Sequence, residues 1–247
     1  TDGTNQCCVA SAYVGDGTTP STAKVRGKNT VTIGLKNADT SDYISKADTP
    51  TIIATGMRLT RTTAFNNELC NCLLIGGSDT ELKVLNGTLD GGTPNSAVTI
   101  AHGMSGAPDM LIFFTCLAGN NVDGPQARTL IGTWVNGTYA SVVSSRVAGA
   151  AGDHRQAVSS LYLPGDISGT YDATTNYTAT VDATNIVITF GTSATNSGQV
   201  TCVAIKNSSV AYQNGNFATP TSTSTATIAS GMSAKPQVCF TICTRAT

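Results

Sequence analysis

Charge is scarce in this sequence. Only 12% of its 247 residues are charged, with Lys and Arg scattered and a net charge of −1. That balance offers no basic patch for nucleic acid or anionic lipid, so neither is expected as a partner. Glutamate is rarer still, being confined to Glu68 and Glu81. Helices build their solvent faces from Lys, Glu and Arg, so long helices are not expected; heptads are also missing, which leaves no coiled-coil stalk. No apolar run approaches the roughly 20 residues of a membrane span, and membrane insertion is not expected. The first residues carry no signal-peptide pattern, so the chain is expected to be mature or never exported. There are two histidines and one tryptophan, a thin stock for catalysis or sugar stacking.

Thr, Ser, Asn and Gly take the place of charge. Thr suits strands, and Ser, Asn and Gly supply turns. Short β-branched and aromatic runs recur between such turns: "AVTIAH", "DMLIFFTCL", "RTLIGTWV", "ASVVSSRVA", "AVSSLYL", "YTATV", "NIVITFG" and "QVTCVAIK". Asn136-Gly137 is a two-residue hairpin signal joining "LIGTWV" to "TYASVV". The expected fold is all-β, with β-sandwich units of jelly-roll or lectin-like type in tandem.

Eight cysteines (Cys7, Cys8, Cys70, Cys72, Cys116, Cys202, Cys239 and Cys243) lie mostly inside apolar runs rather than in loops. They are expected to pack as buried thiols rather than form a disulfide framework. Cys70 and Cys72 are followed by no second pair at ligand spacing in a turn and have no nearby His, so no metal is expected. No cofactor motif is present.

The chain repeats itself. "NGTLDGGTPNSAVTIAHGMSGAP", Asn86 to Pro108, aligns without gaps to "NGNFATPTSTSTATIASGMSAKP", Asn214 to Pro236, at a constant offset of 128 positions. A fainter third copy, Thr49 to Met57, keeps Ile53-Ala54-x-Gly56-Met57. This divides the chain into a short N-terminal β unit at 1–85, possibly an incomplete repeat, a complete unit at 86–213, and at 214–247 the start of a further repeat or a sheet-completing segment. The apolar strand after Pro236 is expected to be covered by the N-terminal part, by a neighbouring subunit or by further chain.

The repeat decides how His102 is read. Its counterparts are Ser230 and Thr55, neither able to act as a base of imidazole type. Gly103, Met104 and Pro108, matched by Gly231, Met232 and Pro236, are instead expected to be turn architecture, with Gly103 at positive φ. His154, in the Gly- and Ala-rich "AGAAGDHRQA", reads as a solvated turn. Glu68 and Glu81 flank one strand, and acids of the complete unit (Asp109, Asp123, Asp153, Asp166, Asp172 and Asp182) fall largely in turns, so paired glycosidase carboxylates are not expected. Trp134 reads as core, with sugar stacking as the alternative. Trp134, Tyr139, Tyr162 and Tyr171 are the aromatics that could face a ligand.

The stretch 86–236 resembles a repeat of tailed-bacteriophage virion proteins. That family opens with a strand, then His-Gly-Leu-Gly-x-x-Pro and an apolar strand, and it carries a central Trp strand and a closing strand before an Asn-Gly linker. Here His102-Gly103-Met104-Ser105-x-x-Pro108 and Asp109-Met110-Leu111-Ile112 match the opening, with Met104-Ser105 in place of Leu-Gly. Trp134, "VTCVAIK" and "AYQNGNF" match the Trp strand, closing strand and linker; residues 1–85 do not fit the pattern. The resemblance implies a non-enzymatic virion structural protein with no catalytic residues, a decoration or cement subunit on the capsid or tail surface. Its partners would be copies of itself and the major capsid or tail protein, and assembly in the host cytoplasm would keep the cysteines reduced. The alternatives are a receptor-binding tail fibre or spike recognising a host surface glycan, and a secreted carbohydrate-binding module or adhesin.

Overall fold

The computed structural model describes residues 8–14, 22–28, 33–36, 43–53, 56–63, 75, 79–89, 97–116, 123–124, 127–146, 153–157, 161–162, 176–190, 198–214 and 232–233. Among these residues the fold is all-β, with every strand pairing antiparallel and no helix. The N-terminal strands are β1 (Cys8–Val14), β2 (Thr22–Lys28), β3 (Ile33–Lys36), β4 (Tyr43–Ile53) and β5 (Gly56–Thr63). Next come β6 (Glu81–Leu89), β7 (Ala97–Ala101), β8 (Met110–Cys116), β9 (Asp123–Gly124), β10 (Ala127–Val135) and β11 (Thr138–Arg146). The last are β12 (Asp153–Ala157), β13 (Leu161–Tyr162), β14 (Asn176–Val181), β15 (Asn185–Phe190) and β16 (Gly198–Lys206).

A six-stranded sheet runs β12-β11-β10-β8-β16-β6, and a four-stranded sheet runs β13-β14-β15-β7. Alternation places their apolar side chains. On β14, Tyr177 and Ala179 are buried while Thr178 and Thr180 are exposed; on β15, Ile186 and Ile188 are buried. These residues and Ile100 form one core cluster with Leu111, Phe113, Leu130, Trp134, Val200, Cys202 and Ala204 of the six-stranded sheet. Cys202 is a buried thiol; the side chains of the other seven cysteines lie outside the described residues.

The β10–β11 hairpin closes at Asn136 (φ 48°) and Gly137 (φ 81°), with Val135 opposite Thr138 and Trp134 opposite Tyr139. Positive φ at both turn residues matches the right-handed twist of the flanking strands, which is why Asn-Gly marks such a turn in sequence.

Three expectations change. His154 lies within β12, opposite Ser144 of β11, rather than in a turn. The long β11 leaves an edge on which even the polar run Asp153–Ala157 can pair. Asn86-Gly87, the expected opening of the complete unit, does not begin an element. It is itself part of β6, in register with β16 from Glu81 opposite Lys206 to Leu89 opposite Gly198. The 85/86 division therefore falls inside a strand.

The faint third copy also takes a different path: β4 and β5 pair with each other, Ile53 opposite Gly56, whereas β7 and β8 belong to different sheets.

The N-terminal strands join the later ones directly. Strand β2 pairs with β9 through Val25 opposite Gly124 and Arg26 opposite Asp123. The β1–β2 hairpin also lies against β8 and β10.

Candidate functional site

The segment His102–Asp109 carries the chain from β7 in one sheet to β8 in the other, and it holds the residues that recur at 230–237. Gly103 has φ 61°, a conformation that glycine takes without steric cost. Met104 and Pro108 are buried, and Met104 belongs to the core cluster.

His102 is 2% exposed and fully engaged. Its backbone N–H donates to Thr184 O at 3.1 Å. Its Nδ1 accepts the Met104 N–H at 3.1 Å, and its Nε2 lies 3.2 Å from Asp182 O. An Nδ1 that accepts requires the proton on Nε2, so Nε2–H donates to the Asp182 carbonyl. The ring thereby closes the Gly103 turn and ties it to the β14–β15 turn. Both nitrogens are occupied, and none is left to face a substrate.

The repeat now has a chemical meaning. A Ser or Thr oxygen can accept the N–H two residues on, as His102 Nδ1 does. Ser230 and Thr55 thus carry an oxygen of the same accepting chemistry as His102 Nδ1, and both lie outside the described residues.

Asp182 organises the β14–β15 turn. Its Oδ1 accepts the N–H groups of Thr184 and Asn185, both at 2.7 Å, and the Thr184 hydroxyl at 3.0 Å. These bonds, led by the Thr184 N–H, hold its carboxyl below the usual range.

Ser105 anchors the other side. Its N–H donates to Glu81 Oε1 and Oε2 at 3.1 and 2.9 Å, and its hydroxyl donates to Oε2 at 2.8 Å. Lys206 Nζ donates to Ser105 Oγ at 2.7 Å. The Ser105 N–H chiefly, then its hydroxyl, keeps the Glu81 carboxyl below the usual range. A serine between a lysine and a carboxylate has the look of a hydrolase site. However, the Ser105 N–H, which would have to meet a substrate oxyanion, is occupied by Glu81. The three residues instead clip the turn to the starting end of β6 and the finishing end of β16.

Asp109 completes the fastening: its N–H donates to Ile205 O at 2.9 Å and its Oδ2 accepts the Asn207 N–H at 2.8 Å. Asn207 Nδ2 reaches Thr80 Oγ1 at 2.7 Å. Burial, with a contribution from Asp109, raises the Tyr212 hydroxyl above its ordinary value.

Of the aromatics that could face a ligand, Trp134 is 8% exposed and belongs to the core. Its Nε1 is buried with no hydrogen-bond partner among the described residues. Tyr139 reaches from β11 to β14, where its hydroxyl accepts the Ala179 N–H at 3.1 Å and donates to Ala179 O at 2.9 Å. Among the described residues β13 pairs with Asn176 and Tyr177, and further along β14 the phenol bonds both backbone groups of Ala179 as a strand partner would. The Tyr162 side chain and Tyr171 lie outside the described residues, as do Gly231 and Pro236; Met232 is described and half-buried. Of the four, the two described side chains, Trp134 and Tyr139, belong to the core cluster or pack against it.

Sequence reading named Glu81, Ser105 and Tyr139 but assigned none of the bonding roles seen here, and it gave no role to Lys206, Asn207 and Tyr177. Tyr177 is fully buried, bonds Thr115 Oγ1 at 2.8 Å, and meets Phe113 edge-on at 6.2 Å. Only Ser105 carried a signal, its recurrence as Ser233. Among the described residues no three His, Cys, Asp or Glu side chains gather as a metal site would require. No family model, curated protein or solved structure matches the chain.

Proposed function

We propose that this chain is a non-enzymatic structural component of a bacteriophage virion, a decoration or cement subunit on the outer surface of the capsid or tail. In this reading the six- and four-stranded sheets face each other as a β-sandwich of jelly-roll or lectin-like type, and such units follow in tandem at the 128-residue offset. The observation that carries it is the signature turn. The polar groups that gave His102–Asp109 an active-site appearance bond to the chain's own backbone and side chains, at Thr184, Asp182, Glu81, Lys206 and Asn207. A segment repeated for turn geometry suits a module whose work is to persist and to stack. The scarcity of charge suits a surface that meets copies of itself and other coat subunits without desolvating ions. The likeness to phage virion repeats supplies the particle.

The test is to band particles from producing cells on a density gradient and label the chain by antibody in electron micrographs. Label along the capsid or tail wall is the expected result. Label confined to fibre tips would replace cement with receptor binding, and chain found only in the soluble fraction would overturn the virion reading. An esterase, glycosidase or peptidase activity lost in Ser105→Ala would overturn the non-enzymatic reading.

A further inference from the structure

The sequence holds three Asn-Gly pairs, beginning at Asn86, Asn136 and Asn214. In such a pair the glycine carries no Cβ to shield its nitrogen, which can reach the carbon of the preceding carboxamide. The fold treats the three sites differently.

Asn86 lies inside β6, opposite Thr201 of β16, and its Oδ1 accepts the Thr201 hydroxyl at 2.8 Å. Gly87 is packed: a Cβ there would come within 2.9 Å of Ile100 Cδ1 and 3.3 Å of Val200 Cγ1. Asn214 has its carboxamide engaged at both ends. Its Oδ1 accepts the Thr133 hydroxyl at 2.6 Å, and its Nδ2 donates to Thr138 O at 2.9 Å and Thr133 O at 3.3 Å.

Asn136 is the opposite case. With Gly137 it forms the exposed turn between β10 and β11. Neither the Asn136 carboxamide nor the Gly137 N–H has a hydrogen-bond partner among the described residues. Nothing lies within 4 Å of where a Gly137 Cβ would stand. Bringing the Gly137 nitrogen onto the carboxamide carbon therefore disturbs only the turn. At Asn86 the same movement breaks strand pairing, and at Asn214 it breaks the bonds to Thr133 and Thr138.

We propose that Asn136 is a modification site, the Asn-Gly pair at which the folded protein deamidates. The Gly137 nitrogen attacks Asn136 Cγ and gives up its proton. The carboxamide C–N bond breaks, and its nitrogen leaves as ammonia with that proton. Water then opens the cyclic imide at either carbonyl, leaving aspartate or isoaspartate at position 136. Both products put a carboxylate on a surface poor in charge. Isoaspartate also routes the main chain through the side-chain methylene, so the turn loses the paired positive φ values that match the twist of its strands. Thr133 and Thr138 flank this turn and hold Asn214, so loosening the turn loosens that grip.

The test is to age the full chain in mildly alkaline buffer, both folded and unfolded in urea. Each Asn-Gly peptide is followed by mass spectrometry and by an isoaspartate-specific methyltransferase. Unfolded, the three sites should convert at similar rates. Folded, Asn136 is expected to convert about tenfold faster than Asn86 or Asn214, the factor for one or two neutral hydrogen bonds that must open first. Asn86 or Asn214 converting as fast as Asn136 in the folded chain would overturn the assignment. So would an unchanged Asn136 in folded chain aged until the unfolded chain has converted. Amide exchange in the β10–β11 hairpin should then be faster in aged than in fresh protein, with β14 and β15 unchanged. Asn136→Gly, which keeps a residue that accepts positive φ, should show no such rise when aged alongside. A rise in the variant, or none in the wild type, would overturn the loosening.

Discussion

His102 and Asp182, eighty residues apart, meet through Nε2–H and a backbone carbonyl at 3.2 Å. This bond joins the turn that leaves the four-stranded sheet to the turn between β14 and β15, while the other ring nitrogen fixes the Gly103 bend.

Replacing His102 separates the two duties. His102→Ala strands the Met104 N–H and the Asp182 carbonyl and opens a cavity, and is expected to cost about 2–4 kcal/mol. His102→Ser, the residue of the second copy, keeps an acceptor for the Met104 N–H and should cost less than Ala. Urea unfolding of the three proteins measures the order; equal losses would refute the shared-acceptor account.

Acid should loosen the same turn. Glu81 and Asp182 have folded-state values held below the ordinary carboxylate range. Their contribution is complete above the unfolded carboxylate range and is lost as pH falls through the folded values. Glu81→Gln and Asp182→Asn are expected to flatten the acid limb of stability against pH. Both groups are solvent-facing, so added salt should weaken the Glu81–Lys206 part of the effect.

Alkali acts through Tyr177. Burial raises its hydroxyl, so its folded-state stabilisation is present below the unfolded tyrosine value and lost as pH rises beyond it. Phenolate absorbance from Tyr177, read as the difference from Tyr177→Phe, should appear together with unfolding.

Two glycines should respond oppositely to alanine. A Cβ on Gly87 would come within 2.9 Å of Ile100 Cδ1 and 3.3 Å of Val200 Cγ1, inside a packed core. Gly87→Ala is expected to cost about 1–3 kcal/mol by overpacking. At Gly106 the nearest atoms are Cε and Nζ of Lys206 at 3.4 Å, the far end of a flexible side chain. Gly106→Ala should change stability by less than about 0.5 kcal/mol. Thermal melting separates the two.

Tyr139→Phe removes a hydroxyl that satisfies both backbone groups of Ala179. The expected loss is about 1–3 kcal/mol, with exchange at the Ala179 amide rising more than at Ile188 on the neighbouring strand. A loss spread evenly over β14 and β15 would refute the surrogate-strand role.

Local features were legible in the sequence. The runs that became β7, β8, β10, β11, β14, β15 and β16 announced themselves by β-branched and aromatic residues between turn signals, and Asn136-Gly137 and Gly103 marked turns because few residues accept positive φ. β6 was missed because its run "ELKVLNGTL" interleaves charge and Asn-Gly with Leu and Val, a pattern that an edge strand tolerates and a turn resembles. The loop reading of His154 failed similarly: an open edge on β11 supplied pairing that the run itself did not advertise.

The sequence by itself determined that this is an all-β chain with a nearly neutral surface, and that its signature turn is repeated. Those properties follow from composition, alternation and the steric limits of single residues, all of which act locally. Only the tertiary structure decided that β16 lies between β8 and β6, that His102 bonds to Asp182, that Tyr139 completes β14, and that Asn214 returns to the hairpin at Thr133. Each of these joins positions tens of residues apart, where the entropy of closing the loop is offset by burial and pairing over a whole sheet. No local pattern specifies which of many compatible partners that closure will select.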